Sequence, residues 1–163
     1  MKLKEFTLKE LYQVLLKEDT TLFTKFINDF GINSVETEDK RNLLMNCILE
    51  GKENYAKLLI EEGINLEYQD TLGYSALHFA VQENNLNVVQ LLIGKNANVN
   101  ISDNNGNTPL WRGMYDMSDS QIIIELIKAG ADIKKKNNHG VSPEEFLEDL
   151  PEDVKLWVEN ASA

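Results

Sequence analysis

Cysteine occurs once and histidine twice among the 163 residues. A single cysteine excludes a disulfide framework within the chain. Cys47, set among Leu44, Met45, Ile48 and Leu49, reads as a small core residue. No set of His, Cys or carboxylate residues stands at metal-ligand spacing, so no zinc centre is expected. Basic residues are scarce as well: 16 Lys and Arg face 27 Asp and Glu, a formal net charge of −11. Binding to nucleic acid or to an anionic membrane surface depends on clustered cations, and this balance disfavours both. It permits steering of a basic partner, although an acidic surface also serves solubility alone. No apolar run approaches the roughly eighteen residues of a membrane-spanning helix. The opening Met1-Lys2-Leu3-Lys4-Glu5 is followed by no apolar stretch of the secretory kind. Together these absences point to the cytosol. Glycine-rich phosphate loops and nucleophile elbows are missing too, so neither catalysis nor a cofactor is expected.

What the chain does contain is self-similarity. Asp70-Thr71-Leu72-Gly73-Tyr74-Ser75-Ala76-Leu77-His78-Phe79-Ala80 is echoed by Asp103-Asn104-Asn105-Gly106-Asn107-Thr108-Pro109-Leu110-Trp111, with Gly73 and Gly106 standing 33 residues apart. Gly140 continues the series 34 residues further on. One period before Gly73 the position is Lys40, so the first half of that unit is irregular. Its second half is regular: Leu58-Leu59-Ile60-Glu61-Glu62-Gly63 aligns with Leu91-Leu92-Ile93-Gly94-Lys95-Asn96 and with Glu125-Leu126-Ile127-Lys128-Ala129-Gly130. The reading is four successive units with an irregular one ahead of them.

Within one unit, Gly73 suits a tight turn at the tip of a finger. Ser75 is placed as N-cap of a first helix that buries Leu77, Ala80 and Val81. Asn84-Asn85 breaks that helix, and Val88, Val89, Leu91, Leu92 and Ile93 give the second a broad apolar face. Asn96 takes the left-handed position that Gly63 and Gly130 hold in the neighbouring units. Such a unit cannot cover its own apolar face, so neighbours must bury it for one another. Two helical patterns, Leu8 to Lys17 and Thr21 to Asp29, read as an N-terminal cap. Ser142-Pro143-Glu144-Glu145 reads as a capping box opening a C-terminal cap, with Phe146, Leu147, Leu150, Val154, Leu156, Trp157 and Val158 as its apolar residues. With both ends capped, the expectation is a complete small solenoid and a single domain over 1–163: cap 1–36, repeats 37–69, 70–102 and 103–136, and cap 137–163.

This period and phrasing resemble the ankyrin-repeat family over nearly the whole chain. The resemblance implies an all-α solenoid of helix-turn-helix units with short β-hairpin fingers, about five units including the caps. It also implies a protein-binding scaffold, whose contacts come from finger tips and from the exposed side of each first helix. Carried over, the finger positions are Glu38, Asp39 and Arg41; Thr71, Leu72 and Tyr74; Asn104, Asn105 and Asn107; and Asn138, His139 and Val141. The first-helix positions are Leu49 and Glu50, Gln82 and Glu83, and Tyr115 and Asp116. His78 belongs to the repeat motif, where its ring ties neighbouring loops together. Three departures stand out: Trp111 occupies the motif's His position, Arg112-Gly113-Met114 replaces an apolar-Ala-Ala run, and one residue is inserted before Ser118.

Leu72 and Tyr74 are candidate anchors, with packing against an adjacent finger as the alternative. Trp111, Arg112 and Tyr115 form a second candidate anchor, or Trp111 belongs to the core between repeats. His139 is a candidate contact, and Lys134-Lys135-Lys136 reads as a solvated edge. Small size, two caps, acidic balance and Asn/Lys/Ile-rich units resemble bacterial stand-alone ankyrin proteins. That likeness implies an immunity or inhibitor protein, monomeric alone and forming a 1:1 complex with a toxin or enzyme, a basic one on grounds of charge. The alternatives are a generic adaptor or host-directed effector module and, from a different class, a solenoid that assembles with itself.

Overall fold

The computed structural model describes residues 4–161. Its elements run β1 (Glu5–Phe6), α1 (Leu8–Leu15), α2 (Thr20–Phe30), β2 (Val35–Glu36), α3 (Leu43–Leu49), α4 (Glu53–Glu61), α5 (Ala76–Gln82), α6 (Leu86–Gly94), α7 (Pro109–Tyr115), α8 (Ser120–Lys128), a 3₁₀ helix (Pro143–Asp149) and α9 (Glu152–Ala161). Helices pair within each unit as α1/α2, α3/α4, α5/α6 and α7/α8. They stack between units in two layers: α3, α5, α7 and the 3₁₀ helix in one, and α4, α6, α8 and α9 in the other. Leu59, Leu92 and Leu126 hold equivalent places in the second layer, and each has 0% of its surface exposed.

The first helices start alike because Asn42, Ser75 and Thr108 each accept a backbone N–H three residues on. Each ends alike too, with a left-handed residue one past its C-cap: Gly51, Asn84 and Met117, at φ 63°, 54° and 55°. The extra residue of the fourth unit falls after Ser118, not before it, since Ser118 N–H on the Gly113 carbonyl is the equivalent of Asn85 N–H on the Ala80 carbonyl and the N-caps Asn85 and Asp119 stand 34 residues apart. The Met117 turn matches the Asn84 turn, and the extra length brings the Asp119 N–H to Asn84 Oδ1 at 2.8 Å. Gly113 also has a packing reason, since a Cβ there would stand 3.0 Å from both Ile123 Cδ1 and Val81 Cγ1.

The fingers are tight turns braced from inside. Asp70 Oδ1 accepts the N–H groups of Leu72 and Tyr74, Asp103 Oδ1 those of Asn105 and Asn107, and Asn137 Oδ1 those of His139 and Val141. In the irregular unit the buried Glu36 carboxylate does this for Glu38 and Arg41, and Lys40 takes the left-handed conformation at φ 61° that the turn demands. Each regular finger closes through two backbone bonds, as when Asp70 N–H donates to the Tyr74 carbonyl and Gly73 N–H to the Asp70 carbonyl, both at 3.0 Å, and the irregular finger through an isolated antiparallel bridge of Val35 with Asn42. The strands among the described residues are instead the parallel pair of β1 with β2 in the N-terminal cap. Phe6 of β1 lies edge-on to Phe26 and Phe30 there.

The C-terminal end differs from expectation in two respects. The segment after the Ser142 capping box is 3₁₀ rather than α-helical. Leu156 is 55% exposed, because Val154 and Val158, on the opposite face of α9, point inward. The side chain of Asp153 lies outside the described residues.

Candidate functional site

The fingers and the first-helix layer share one side of the stack, and the bonds between successive fingers fix its shape. Thr71 N–H donates to the Asp39 carbonyl at 2.9 Å, Asn104 N–H to the Leu72 carbonyl at 3.0 Å, and Asn138 N–H to the Asn105 carbonyl at 2.9 Å. Gly73 sits inside this ladder at φ 82°, where a Cβ would lie 2.6 Å from Asn104 N. His78 fastens the helices to the fingers. Its Nδ1 accepts from Ser75 N–H at 3.1 Å, and its Nε2 faces the Asn107 carbonyl at 3.1 Å. A carbonyl can only accept and a backbone N–H only donate, so the ring is neutral and carries its proton on Nε2. Burial holds its pKa below the ordinary histidine value.

Of the finger positions, Glu38, Thr71, Leu72, Asn104, Asn105, Asn138 and His139 are exposed, and Asp39, Arg41, Tyr74 and Val141 are half-buried. Leu72 is 56% exposed, a large apolar side chain open to solvent. Asn107 is the correction to this set. It is buried, and its amide is taken up by Asp103 Oδ2 at 3.2 Å and Asn137 Nδ2 at 2.8 Å, so it links fingers and is not open to a partner. Of the first-helix positions, Glu50, Gln82, Glu83, Tyr115 and Asp116 are exposed and Leu49 is half-buried.

The residues between these rows form a chain of cations and rings. The Arg41 guanidinium reaches Asp39 at 2.8 Å and lies 5.5 Å from the Phe79 ring. Phe79 packs edge-on to Tyr74 at 5.6 Å, and Tyr74 stacks on His78 at 5.5 Å. Arg112 lies 5.2 Å from the Tyr74 ring, donates to its hydroxyl, and faces Asp116 at 3.7 Å. Beyond it Trp111 stacks on Tyr115 at 5.0 Å, and Phe146 meets both rings edge-on. Tyr74 is therefore pinned by its own unit and the next, whereas Tyr115 remains 57% exposed. Trp111 is half-buried between repeats and backs the exposed Tyr115.

Three members of this surface were not singled out as contacts from sequence: Tyr12, Phe79 and Phe146. Tyr12 donates its hydroxyl to Glu50 Oε1 at 2.9 Å, and that bond raises its pKa. Phe79 and Arg112 are one 33-residue period apart, a spacing that could have flagged Phe79. Asp70 lies beneath the surface with its side chain 0% exposed and Oδ2 3.8 Å from Arg41 Nε. Burial pushes its carboxyl above the usual range, against the pull of its backbone donors and of Arg41. Hollows of about 430 and 510 Å³ lie elsewhere, between α2 and α4 and between α4 and α6. Among the described residues no group of three or more His, Cys, Asp or Glu could hold a metal ion.

A stack of helix pairs with bonded fingers along one side defines a repeat scaffold with an elongated face of fingers and first helices. The family model for ankyrin repeats (3 copies) matches residues 11–103 and 65–137. The chain belongs to the ankyrin-repeat family, whose modules generally mediate protein–protein interaction and are generally not catalytic. It is 32% identical over 109 residues to an ankyrin repeat protein of Fowlpox virus, covering 66% of this chain and 32% of that one. It is 30% identical over 105 residues to human ankyrin repeat and SOCS box protein 6, covering 63% and 25%. A Rickettsia felis ankyrin repeat protein matches at 32% over 95 residues, covering 53% and 42%. The chain thus spans well under two thirds of the length of these relatives. No helix among the described residues is long and apolar enough to cross a membrane.

Proposed function

We propose that the chain binds one protein partner through its fingers and first helices, acting in the cytoplasm without catalysing a reaction. More specifically, the partner is a basic toxin or enzyme that the chain neutralises by a 1:1 contact. The observation that carries the reading is the exposure of Leu72 and Tyr115, 56% and 57%, on this face of an acidic scaffold. Exposed apolar side chains mark interaction surfaces, and Tyr is among the residues enriched as interface anchors. A net charge of −11 would speed capture of a cationic partner. About 800 Å² per partner is the size such an interface ordinarily needs.

The test is affinity capture at low salt from the native lysate, followed by a functional assay of the captured protein. The proposal expects one stoichiometric partner, lost on combining Leu72→Ala with Tyr115→Ala, whose activity the chain suppresses. Unchanged capture by the double variant would reject the face, and capture without suppression would reject the inhibitor role. A second reading, an adaptor module, is favoured by the small share of its relatives' length that this chain spans, 32% and 25% in the two cases above. On that reading the partner is tethered and keeps its activity.

A further inference from the structure

Glu50, Glu83 and Asp116 are the C-cap residues of α3, α5 and α7, each 33 residues from the next. Just before them stand Leu49, Gln82 and Tyr115, the last residues of the same three helices. The three helices pack side by side, and packed helices lie about 8–10 Å apart. The contact face therefore repeats a carboxylate, preceded by an apolar or polar side chain, at about that interval. Helix stability does not account for the column, because a negative charge at a helix C-terminus opposes the helix dipole. At the far end Tyr115, backed by Trp111 and edged by Phe146, leaves an aromatic surface open beside Asp116.

We infer that the segment this face holds is an extended basic strand with Lys or Arg at every third residue; the inference rests on the protein-binding reading above. In a polyproline II conformation three residues make one turn and advance about 9.3 Å, so every third side chain falls on the same side at the spacing of the carboxylates. A fully extended β-strand advances about 10 Å over three residues but points residues three apart to opposite faces, so the polyproline II form is the one that fits. A helical partner could match the interval only with every seventh residue, about 10.5 Å. The exposed Gln82 amide and Tyr115 hydroxyl argue against it. They offer hydrogen bonds to a partner's backbone, which an extended chain leaves open and a helix satisfies internally. One cation meets Glu50, where the Tyr12 hydroxyl already steadies the carboxylate. The next meets Glu83. The third lies between Asp116, whose other side Arg112 faces at 3.7 Å, and the open side of the Tyr115 ring, which adds a cation–π attraction.

The test uses the full chain and three fluorescent peptides of identical composition and length. One has arginine at every third residue with Ala-Pro between, one has the arginines consecutive, and one places them at every seventh residue. At about 50 mM salt the first should bind at least about tenfold more tightly than the other two. Exposed ion pairs are worth about 0.2–1 kcal/mol, so Glu83→Gln should weaken it about 1.4- to fivefold. Combining Glu50→Gln, Glu83→Gln and Asp116→Asn should erase the preference for spacing, and Tyr115→Ala should weaken the first peptide while leaving its preference over the consecutive-arginine peptide in place. Equal binding of all three peptides, preference for the seventh-residue spacing, or indifference to the triple substitution would overturn the inference. If the lysate partner is lost on Leu72→Ala with Tyr115→Ala yet survives the triple substitution, the extended-basic-segment inference falls and the binding face stands. Survival of capture through both sets of changes removes the face itself.

Discussion

Replacing Leu92 by alanine removes three carbon atoms from the middle of the stack. Leu92 is fully buried in α6, which packs between α4 and α8 with Leu59 and Leu126 equally buried. At about 0.8 kcal/mol per buried methylene, the lost transfer energy alone is about 2.4 kcal/mol. Neighbouring helices are held by their own pairs and can collapse only partly into the space, so a cavity contribution adds to it. The total should fall at about 3–4 kcal/mol, inside the 2.7–5 kcal/mol range of comparable core truncations. Urea unfolding followed by circular dichroism reads this as a drop in midpoint at an unchanged slope. Leu16→Ala, at a side chain 79% exposed, is the matched control and should change stability by no more than about 0.5 kcal/mol. A Leu92→Ala cost below about half a kcal/mol would refute the register of the stack. A broadened transition with a smaller slope would show that the units unfold separately rather than supporting one another.

Gly73→Ala should cost about 2–3 kcal/mol, since it combines a left-handed backbone with a Cβ 2.6 Å from Asn104 N. Gly130→Ala, at φ 89° with open space around it, should cost only about 1 kcal/mol in the same urea titration. Stability should fall as pH drops from about 7 to 5, because unfolded His78 takes up a proton near its ordinary pKa while the buried ring resists it. The slope from this residue is bounded at about 1.4 kcal/mol per pH unit, and His78→Gln should remove it. Asp70 has the opposite sign at lower pH: its raised carboxyl favours the protonated folded state, a contribution lost as pH rises through its folded pKa. Leu72→Ala should alter stability by no more than about 0.5 kcal/mol while weakening partner capture, which separates contact from fold.

Much of the architecture was legible because each period repeats the same local chemistry. Asn96, Gly63 and Gly130 do occupy left-handed positions, at φ 61°, 82° and 89°, and Ser75 and His78 do make the bonds that their motif implies. Positions that depend on long-range partners were not legible. Tyr74 looks like a free finger-tip ring until Arg112, 38 residues away, covers it. Asn107 looks like its exposed neighbours until Asn137, 30 residues away, claims its amide oxygen. The β1–β2 pair is two residues long and leaves no periodicity to detect. Lys40 conceals a turn because its left-handed backbone is maintained by the Glu36 bonds around it and not by glycine. Leu156 was misplaced because the inward face of α9, among its described side chains, is a narrow stripe of Val154 and Val158.

Hydrogen-exchange mass spectrometry of the chain with and without its captured protein puts the contact face to the most direct test. Binding should slow exchange in the finger from Thr71 to Tyr74, at the ends of α3 and α5, and from Tyr115 to Met117. The outer surface of α4 and α6, around Lys57 and Gln90, should exchange at its free rate. Slowing confined to α4, α6 and α8 would place the partner on the opposite side of the stack and contradict the account.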